Sequence, residues 1–339
     1  MPNPIIAVTM GDPGGIGPEV IAKSFQAFKY SDKFFYLLIG ATEVFDSFKK
    51  KFKVAFPLNL IPALHPQFLR KNAVNFLDIK EEASKLLEKK GKKLRLRKFS
   101  FDIGKVSLAN AAVAYASIKA AAYQAAQGLV QAVVTAPVNK TAIRLIEPNF
   151  HGHTEYLAKV ARVKSFAMMF VSDRLRVTLA TIHVPLKNVS RMITEELVFE
   201  KIKLTDQFLK THLKVKKPKI AVCALNPHGR ETGEEEDRVI SPAVSKAQRQ
   251  KIRALGPLSA DQLFYDAYEG RYDAVISMYH DQGLTPFKMI AFKDGVNVTL
   301  GLPYIRTSPD HGTAFDIAYQ GKADPSSMKA AFRLAEKLL

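Results

Sequence analysis

The sequence predicts an α/β protein with a largely parallel sheet. Strand-like apolar runs and helix-like segments alternate along the whole chain, which is the pattern of α/β layers. The composition, 47% hydrophobic and 24% charged residues, is that of a globular protein with a sizeable core. The 339 residues suffice for two ordinary domains. Because neither an internal repeat nor a low-complexity linker is visible, the two domains must be interleaved or tightly joined.

The first half of the chain supplies strands followed by helices. Short apolar runs predict strands at residues 5–10, 34–39, 73–79 and 132–135. Helical spacing of apolar residues predicts helices at 18–28, 43–51 and 108–127. Thr42 is placed to cap the helix at 43–51, and the helix at 108–127 is rich in alanine. Each helix that follows a strand favours parallel pairing, since parallel strands need a crossover connection.

The second half adds a hairpin and further alternation. Residues 166–171 and 176–181 are separated by a Ser-Asp turn, which predicts an antiparallel hairpin within the sheet. Thr194 begins an amphipathic helix that runs to residue 213, with two glutamates in its first turn. Further strands are predicted at residues 220–224, 274–278 and 296–300. The last helix is predicted to start at Asp324-Pro325.

Charge and cysteine content narrow the class of protein. The formal net charge is +18, and the densest basic run, KKGKKLRLRK at residues 89–98, suggests a nucleic-acid binder as one alternative. The run has no interleaved aromatic residues and no nucleic-acid module around it, so a solvated surface is favoured and no nucleic-acid partner is expected. One cysteine, Cys223, fits a reducing compartment. The chain shows neither a signal peptide nor a long apolar span, so a cytoplasmic location without membrane association is expected.

Three loops near strand ends carry groups that suit an anion. The loop MGDPGGIGPE at residues 10–19 joins a strand to a helix, and it either exposes backbone N–H groups to an anion or is only a tight turn with glycines at positive φ. It is not a dinucleotide fingerprint, because Pro13 stands where the second glycine is needed. In TAPVNKT, Lys140 lies where a strand end meets a helix start. In FHGHTE, His153 and Thr154 are placed to bind an anion, although Thr154 is also a possible helix N-cap.

Three histidines each follow an apolar strand: His183, His228 and His280. A lone histidine at a strand end is more often surface or hydrogen-bonded core than ligand. Three at equivalent places favour a shared site, because strand ends converge in an α/β fold. Three imidazoles with an open position suit Zn²⁺ or another borderline divalent ion, and Asp281 and Asp261 are candidates to orient a ligand histidine.

The segment from Lys288 through Arg306 to Gly312 carries two cations on otherwise apolar stretches. A buried phosphate or carboxylate site requires such cations, and two surface charges are the alternative. Asn297 lies inside a strand pattern, where an amide packs poorly, so it is expected to have a specific polar partner.

Together these loops resemble the 4-hydroxythreonine-4-phosphate dehydrogenase family of pyridoxal phosphate biosynthesis. The resemblance covers nearly the whole chain, in this order: GDPGGIGPE, APVNK, GHTE, ATIHVPL, LNPHG, GPLSAD, MYHDQGL and GVNVTLGLPYIRTSPDHGTA. It implies an isocitrate/isopropylmalate-dehydrogenase-like fold, in which two α/β/α domains flank a cleft. The expected domains are residues 1–140 plus 303–339, and residues 141–302, which carry most metal and substrate residues.

The resemblance also implies the site and its cofactors. His183, His228 and His280 would bind a divalent metal (Zn²⁺, Co²⁺ or Mg²⁺), with His280 supplied across a homodimer interface. His153, Thr154, Lys288, Asn297 and Arg306 would hold the substrate. NAD or NADP would accept the hydride, at residues that the sequence does not identify. Lys288 and Asp261 are the candidates for the catalytic group that takes the alcohol proton.

The implied reaction is the NAD(P)-dependent oxidation of 4-phosphohydroxy-L-threonine to 2-amino-3-oxo-4-phosphooxybutanoate, followed by decarboxylation to 3-amino-2-oxopropyl phosphate. The alternative is a dehydrogenase of a related four-carbon sugar-acid phosphate, erythronate or threonate 4-phosphate. A non-catalytic phosphate-metabolite binding protein is a hypothesis from another class. One stretch departs from the family pattern: NPHGRETGEEEDRV, after His228, is shorter than the usual glycine-rich loop and contains Arg230. The basic segment 80–98 also has no counterpart in the family.

Overall fold

The computed structural model describes residues 3–27, 30–91 and 101–339, which form two compact units. The first unit comprises Met1–Arg162 with residues 302–337 and Leu339, and the second comprises Val163–Gly301 with Leu338. Residues 141–162 therefore belong to the first unit, although the sequence assigned them to the second domain. The physical reason is that the two short helices in this stretch pack against the long alanine-rich helix of the first unit.

The first unit contains a parallel sheet of six strands. In chain order they are β1 (Ile5–Thr9), β2 (Phe35–Gly40), β3 (Leu58–Ile61), β4 (Val74–Asp78), β5 (Ala132–Thr135) and β12 (Ile305–Pro309). In space the order is β3-β4-β2-β1-β5-β12, with every neighbouring pair parallel. Apart from the edge strand β3, the strands are largely buried, as expected for a parallel sheet with both faces covered. The carboxyl ends of β5 and β12 lie side by side, because Thr307 is in register with Val134.

The helices of the first unit are α1 (Gly17–Gln26), α2 (Thr42–Phe52), α3 (Lys80–Glu88), α4 (Leu108–Ala126), α5 (Lys140–Arg144), α6 (His153–Val160) and most of α12 (Ser326–Leu338). The alanines of α4 leave room for close packing, and the Ser117 hydroxyl in this helix donates to the Ile39 carbonyl at 2.6 Å. Glu19 in α1 is fully buried and accepts hydrogen bonds from the Lys23 ammonium at 2.8 Å and the Ala323 N–H at 2.9 Å.

The second unit contains a mixed group of six strands. They are β6 (Ala167–Val171), β7 (Arg176–Leu179), β8 (Lys219–Cys223), β9 (Arg253–Leu258), β10 (Ala274–Ser277) and β11 (Val296–Leu300), in the spatial order β11-β6-β7-β10-β8-β9. Strand β6 is antiparallel to both β11 and β7, which confirms the predicted hairpin. The β7-β10, β10-β8 and β8-β9 pairs are parallel, so the carboxyl ends of β7, β10 and β8 point the same way.

The helices of the second unit are α7 (Leu186–Met192), α8 (Glu195–Thr211), α9 (Ser241–Arg249), α10 (Ala260–Tyr268) and α11 (His280–Ala291), together with a π-helical turn at Glu236–Ile240. Thr194 caps α8 as predicted, accepting a hydrogen bond from the Leu197 N–H at 3.2 Å. Leu179, Cys223, Val275 and Phe287 belong to the apolar core of this unit. No helix in the described ranges is long and apolar enough to cross a membrane.

The structure confirms the α/β class and corrects several elements. Strands β3, β9 and β12 were not predicted, and the segment around Lys288 and Arg306, read as one functional loop, contains helix α11 and strands β11 and β12. Strand β12 was not predicted because its sequence, IRTSP, lacks an apolar run. The first part of segment 80–98 is helix α3, whereas residues 92–98 of the basic run lie outside the described residues.

Candidate functional site

The first unit holds a cluster of basic side chains around His153, the first residue of α6. The His153 Nε2 atom is buried and makes no hydrogen bond within the described part of the chain. Burial, and then the positive charges of Arg306 and Lys140, hold the pKa of His153 well below its usual range. The imidazole is therefore neutral near pH 7, with a buried nitrogen available to a ligand.

Arg306, the second residue of β12, supplies a buried guanidinium. Its exposed fraction is only 3%, and its Nε and Nη2 atoms donate to the Thr135 hydroxyl on β5 at 3.2 and 2.8 Å. Burial lowers its pKa to about 10, an effect that the carboxylate of Glu155 partly offsets. A buried cation next to a neutral imidazole suits an anionic group of a small molecule, because the anion compensates the charge and accepts charge-assisted hydrogen bonds. The alternative of a surface charge is thus wrong for Arg306, and its role in holding the substrate stays a prediction.

Lys140 and Glu155 join this cluster beside Gly152. A Cβ atom built on Gly152 would lie 3.4 Å from Lys140 Nζ and 2.8 Å from Glu155 Oε2, so the glycine leaves space for both charged groups. Sequence reasoning placed Lys140 at a strand end without giving it a role, and it missed Glu155. The Gly-His-Thr-Glu run was the available signal, since it puts Glu155 in the first turn of α6.

Thr154 is buried, with an exposed fraction of 4%, in the first turn of α6. Gly152 is the N-cap residue of that helix, and no side chain caps it. The alternative interpretation of Thr154 as an N-cap is therefore wrong.

The loop after β1 is packed against the rest of the first unit. Gly11 has φ +74°, and a Cβ atom there would lie 2.6 Å from the Pro137 carbonyl oxygen, so only glycine fits. Asp12 has an exposed fraction of 1% and accepts a hydrogen bond from the Gly14 N–H at 2.9 Å. These contacts favour the tight-turn interpretation of residues 10–19. Burial raises the pKa of Asp12 to about 6.

Asp12→Asn is expected to stabilise the protein near neutral pH. A carboxyl whose pKa rises from about 4 in the unfolded chain to about 6 in the folded state stabilises the fold below pH 4, and that contribution is lost as the pH rises through 6. The amide keeps an acceptor for Gly14 and removes the buried charge. Urea unfolding should show the variant more stable by about 1–3 kcal/mol at pH 7, with little difference at pH 4. Asp46→Asn, an exposed change on α2, should show no such trend; an equal trend would contradict the expectation.

Two of the three predicted metal ligands meet in the second unit. His183 follows β7, His280 begins α11 directly after β10, and these two strands are parallel neighbours. The centroids of the two imidazole rings are 5.8 Å apart. Both rings line a cavity of about 270 Å³, whose other lining residues are Ile182, Val184, Leu186, Val189, Tyr279 and Asp281. Strand ends thus bring together histidines that are far apart in sequence.

Asp281 orients His280. The His280 Nδ1 atom lies 2.7 Å from the Asp281 Oδ1 atom. When Nδ1 carries the proton and donates it to this carboxylate, the lone pair is on Nε2, which is the arrangement found in most histidine ligands of metal ions. The donor chemistry of the pair therefore fits a divalent metal. The expectation that Asp281 orients a ligand histidine agrees with this contact.

His228 follows β8, the other neighbour of β10, and has a left-handed backbone with φ +56°. An electrostatic interaction with His228 is the smallest of the effects that lower the pKa of Asp261; the largest is a hydrogen bond from the Gln262 N–H. Among the described residues of a single chain, no three His, Cys, Asp or Glu side chains form a group able to hold a metal ion. The three-histidine site, with one histidine supplied by a second subunit, stays a prediction.

Lys288 and Asn297 also lie in the second unit. Lys288 is partly exposed on α11, and Asn297 stands opposite Phe170 in the β11-β6 pair. The Asn297 Oδ1 atom is buried and has no hydrogen-bond partner within residues 3–27, 30–91 and 101–339. Sequence reasoning expected a specific partner for this amide, and a bound ligand is one way to supply it.

Comparison with known proteins gives a full-length match. Residues 55–335 match the family model described as pyridoxal phosphate biosynthetic protein PdxA. The chain is 42% identical to 4-hydroxythreonine-4-phosphate dehydrogenase of Geobacter metallireducens, over 100% of this chain and 97% of that protein. It is 37% identical to D-threonate 4-phosphate dehydrogenase of Salmonella typhimurium, over the whole of both chains.

A solved structure extends the match to the fold. The crystal structure of 4-hydroxythreonine-4-phosphate dehydrogenase from Klebsiella pneumoniae superposes with a TM-score of 0.84 at 34% identity, covering 99% of each chain. The similarity therefore spans both units and every loop considered above.

Proposed function

The chain belongs to the PdxA family of pyridoxal phosphate biosynthetic proteins, and we propose that it is an NAD(P)-dependent dehydrogenase of a phosphorylated hydroxy acid. The proposed reaction oxidises 4-phosphohydroxy-L-threonine to 2-amino-3-oxo-4-phosphooxybutanoate, which then loses CO₂ to give 3-amino-2-oxopropyl phosphate. The relative from Geobacter metallireducens carries the corresponding name. The observation that carries the proposal is the cluster of Arg306, Lys140 and neutral His153, because a buried guanidinium beside an exposed ammonium provides the positive charge and the donors that a phosphate requires.

We assign phosphate binding to this cluster and metal binding to the histidines. In the oxidation, a hydride leaves the substrate carbon for nicotinamide while the hydroxyl proton goes to a base. A divalent metal, when bound by His183, His280 and His228, supplies Lewis-acid stabilisation of the developing negative charge on oxygen. Imidazole ligands favour Zn²⁺ or Co²⁺ over Mg²⁺, which prefers oxygen. The Asp281 carboxylate holds the His280 ring in the orientation that this role needs.

The proton acceptor is one of the two candidates from sequence. Asp261 is fully exposed and its pKa lies below the usual range, and a base is most effective when its pKa is near the working pH. This counts against Asp261 as the base. Arg306 and Lys140 keep the phosphate in place through both steps, so that the same bound molecule is oxidised and decarboxylated.

A homodimer is part of the proposal. Helix α11, which begins with His280, ends in exposed apolar side chains: Met289 is 84% and Phe292 77% exposed. Leu186, in the wall of the histidine cavity, is 69% exposed. Exposed apolar side chains near a polar site are typical of protein–protein interfaces. Light scattering should give the mass of two 37.7 kDa chains, and the mass of one would contradict this part of the proposal.

The test of the activity is the reduction of NAD or NADP with 4-phosphohydroxy-L-threonine. Activity should disappear on chelation and return when Zn²⁺ or Co²⁺ is added. Turnover that continues without metal would overturn the mechanism, and absence of any cofactor reduction would overturn the function.

A second candidate substrate is D-threonate 4-phosphate, which the Salmonella typhimurium relative is named for. The changed loop after His228, with Arg230 bound to Asp237 at 2.6 Å, is a local difference that bears on substrate preference. Comparing kcat/KM for 4-phosphohydroxy-L-threonine, D-threonate 4-phosphate and D-erythronate 4-phosphate decides between the candidates.

A further inference from the structure

The side-chain amide of Gln282 bridges two segments just beyond the point where the backbone pairing of β10 with β8 ends. The last backbone pair of this ladder is Ile276 with Val222. Beyond it, Gln282 in the first turn of α11 accepts a hydrogen bond from the Met278 N–H and donates one to the Ala224 carbonyl, both at 2.7 Å. One side chain therefore ties the segment that leads to His280 to the segment that leads to His228.

The buried carboxylate of Glu236 also binds the segment that leads to His228. Glu236 has an exposed fraction of 0%, and its Oε1 atom accepts hydrogen bonds from the N–H groups of Leu225 and Asn226, both at 2.8 Å. Its Oε2 atom accepts from the Asn226 amide at 3.0 Å. Glu236 begins the π-helical turn before α9, and such turns are frequent at functional sites.

The neighbouring carboxylate extends this network to the histidine cavity. Glu235 accepts hydrogen bonds from the Asn226 amide at 2.9 Å and from the Ser190 hydroxyl at 2.6 Å. Ser190 lies on α7, the helix whose Leu186 and Val189 line the cavity. The segment before His228 is thereby linked to the wall beside His183.

These bonds fix the backbone of residues 224–226 almost completely. The Ala224 N–H donates to the Leu258 carbonyl at 2.7 Å, and the Asn226 carbonyl accepts from the Gly229 N–H at 3.2 Å. Together with the bonds from Gln282 and Glu236, they pair five of the six backbone N–H and C=O groups of these three residues. His228 comes two residues later, so its imidazole is placed by side chains that lie elsewhere in the sequence.

We propose that Gln282 and Glu236 are positioning residues that fix the segment before His228 and thereby set where its imidazole meets the metal. The inference rests on the proposed function, because it gives His228 a metal to bind. Neither residue is required to touch the metal. Residues that orient metal ligands through hydrogen bonds commonly change metal affinity about 10- to 100-fold when they are replaced.

The test compares metal binding by the full-length protein and by Gln282→Met, which keeps the length of the side chain and loses both hydrogen bonds. Titration calorimetry with Zn²⁺ or Co²⁺ should show a dissociation constant raised about 10- to 100-fold. Gln248→Met is the matched control, since Gln248 also donates from its amide to a backbone carbonyl of the second unit, that of Ala254 at 2.9 Å, away from the histidine segments. The control should bind metal as the unchanged protein does.

Two further variants separate positioning from general stability. Gln282→Glu keeps the acceptor for Met278 and loses the donor to Ala224, so it should fold and still bind metal weakly. Glu236→Gln should weaken metal binding in the same way. The melting temperature of the metal-free Gln282 variants should fall no further than that of Gln248→Met, and excess metal should restore their kcat.

The outcomes separate this inference from the proposed function. If the unchanged protein binds no metal, the metal part of the proposed function is overturned. If it binds metal tightly and Gln282→Met or Gln282→Glu binds it equally well, only the positioning role is overturned. A large loss of thermal stability in every Gln282 variant with unchanged metal affinity would show that the glutamine is merely structural.

Discussion

His183→Asn is expected to lower kcat/KM by roughly 10²–10³-fold, because the variant loses one imidazole of the proposed metal site. The stabilisation that a metal gives to a developing oxyanion is several kcal/mol, and each 1.4 kcal/mol is a factor of about ten in rate. His183 is exposed and its ring is 5.8 Å from that of His280, so asparagine should be accommodated without loss of the fold. Steady-state kinetics with and without added Zn²⁺ measure the effect.

The control for this prediction is His65→Asn. His65 is exposed in the first unit, where it accepts only a long hydrogen bond of 3.4 Å from the Gln67 N–H. The variant His65→Asn should leave both activity and metal binding unchanged. If His183→Asn binds metal and turns over substrate as the unchanged protein does, the histidine pair has no role in catalysis.

Arg306→Met is expected to raise KM about 30- to 5000-fold, since losing a buried partner of a charged group costs about 2–5 kcal/mol. The fold should suffer little, because burial disfavours the charge of the guanidinium and lowers its pKa to about 10, and methionine removes that cost. Kinetics with the phosphorylated substrate and a thermal melt of the free protein are the two measurements. Arg306→Lys should be intermediate, because lysine keeps the charge and loses the planar donor array.

Arg144→Met gives the comparison in the same unit. Arg144 is exposed on α5 and donates from Nε to the Phe150 carbonyl at 3.1 Å. Its loss should affect KM little. A fall in the melting temperature of Arg306→Met without a change in KM would show that Arg306 serves the fold and not the substrate.

The sequence predicted the parts of the site that depend on strand ends. Three apolar runs followed by histidines are a local pattern, and parallel pairing of β7 with β10 brings His183 and His280 together as that pattern implies. The cluster of His153 and Arg306 was predicted from residue type and family resemblance. Lys140 received no role, since its contribution depends on the approach of Gly152 and Glu155 in three dimensions.

Other features of the structure could not be predicted from local patterns in the sequence. The Gln282–Ala224 bond joins residues 58 positions apart, and the Glu236 bonds reach back ten and eleven positions from a π-helical turn. Strand β12 is formed by a polar run that becomes buried only because β5 lies beside it. The boundary at residue 162 depends on packing between helices, which periodicity does not report.

The discontinuous course of the first unit has a consequence for its synthesis. Strand β5 is complete when residue 135 has been made, but the partner on one of its edges, β12, begins only at Ile305. Ribosomes add about 5–20 residues per second. The edge of β5 that pairs with β12 therefore stays unpaired for on the order of ten seconds, while the whole second unit is synthesised. An unpaired apolar strand edge invites association with other chains. The nascent protein is thus expected to need chaperone protection during this interval, and truncated products ending before residue 305 should aggregate.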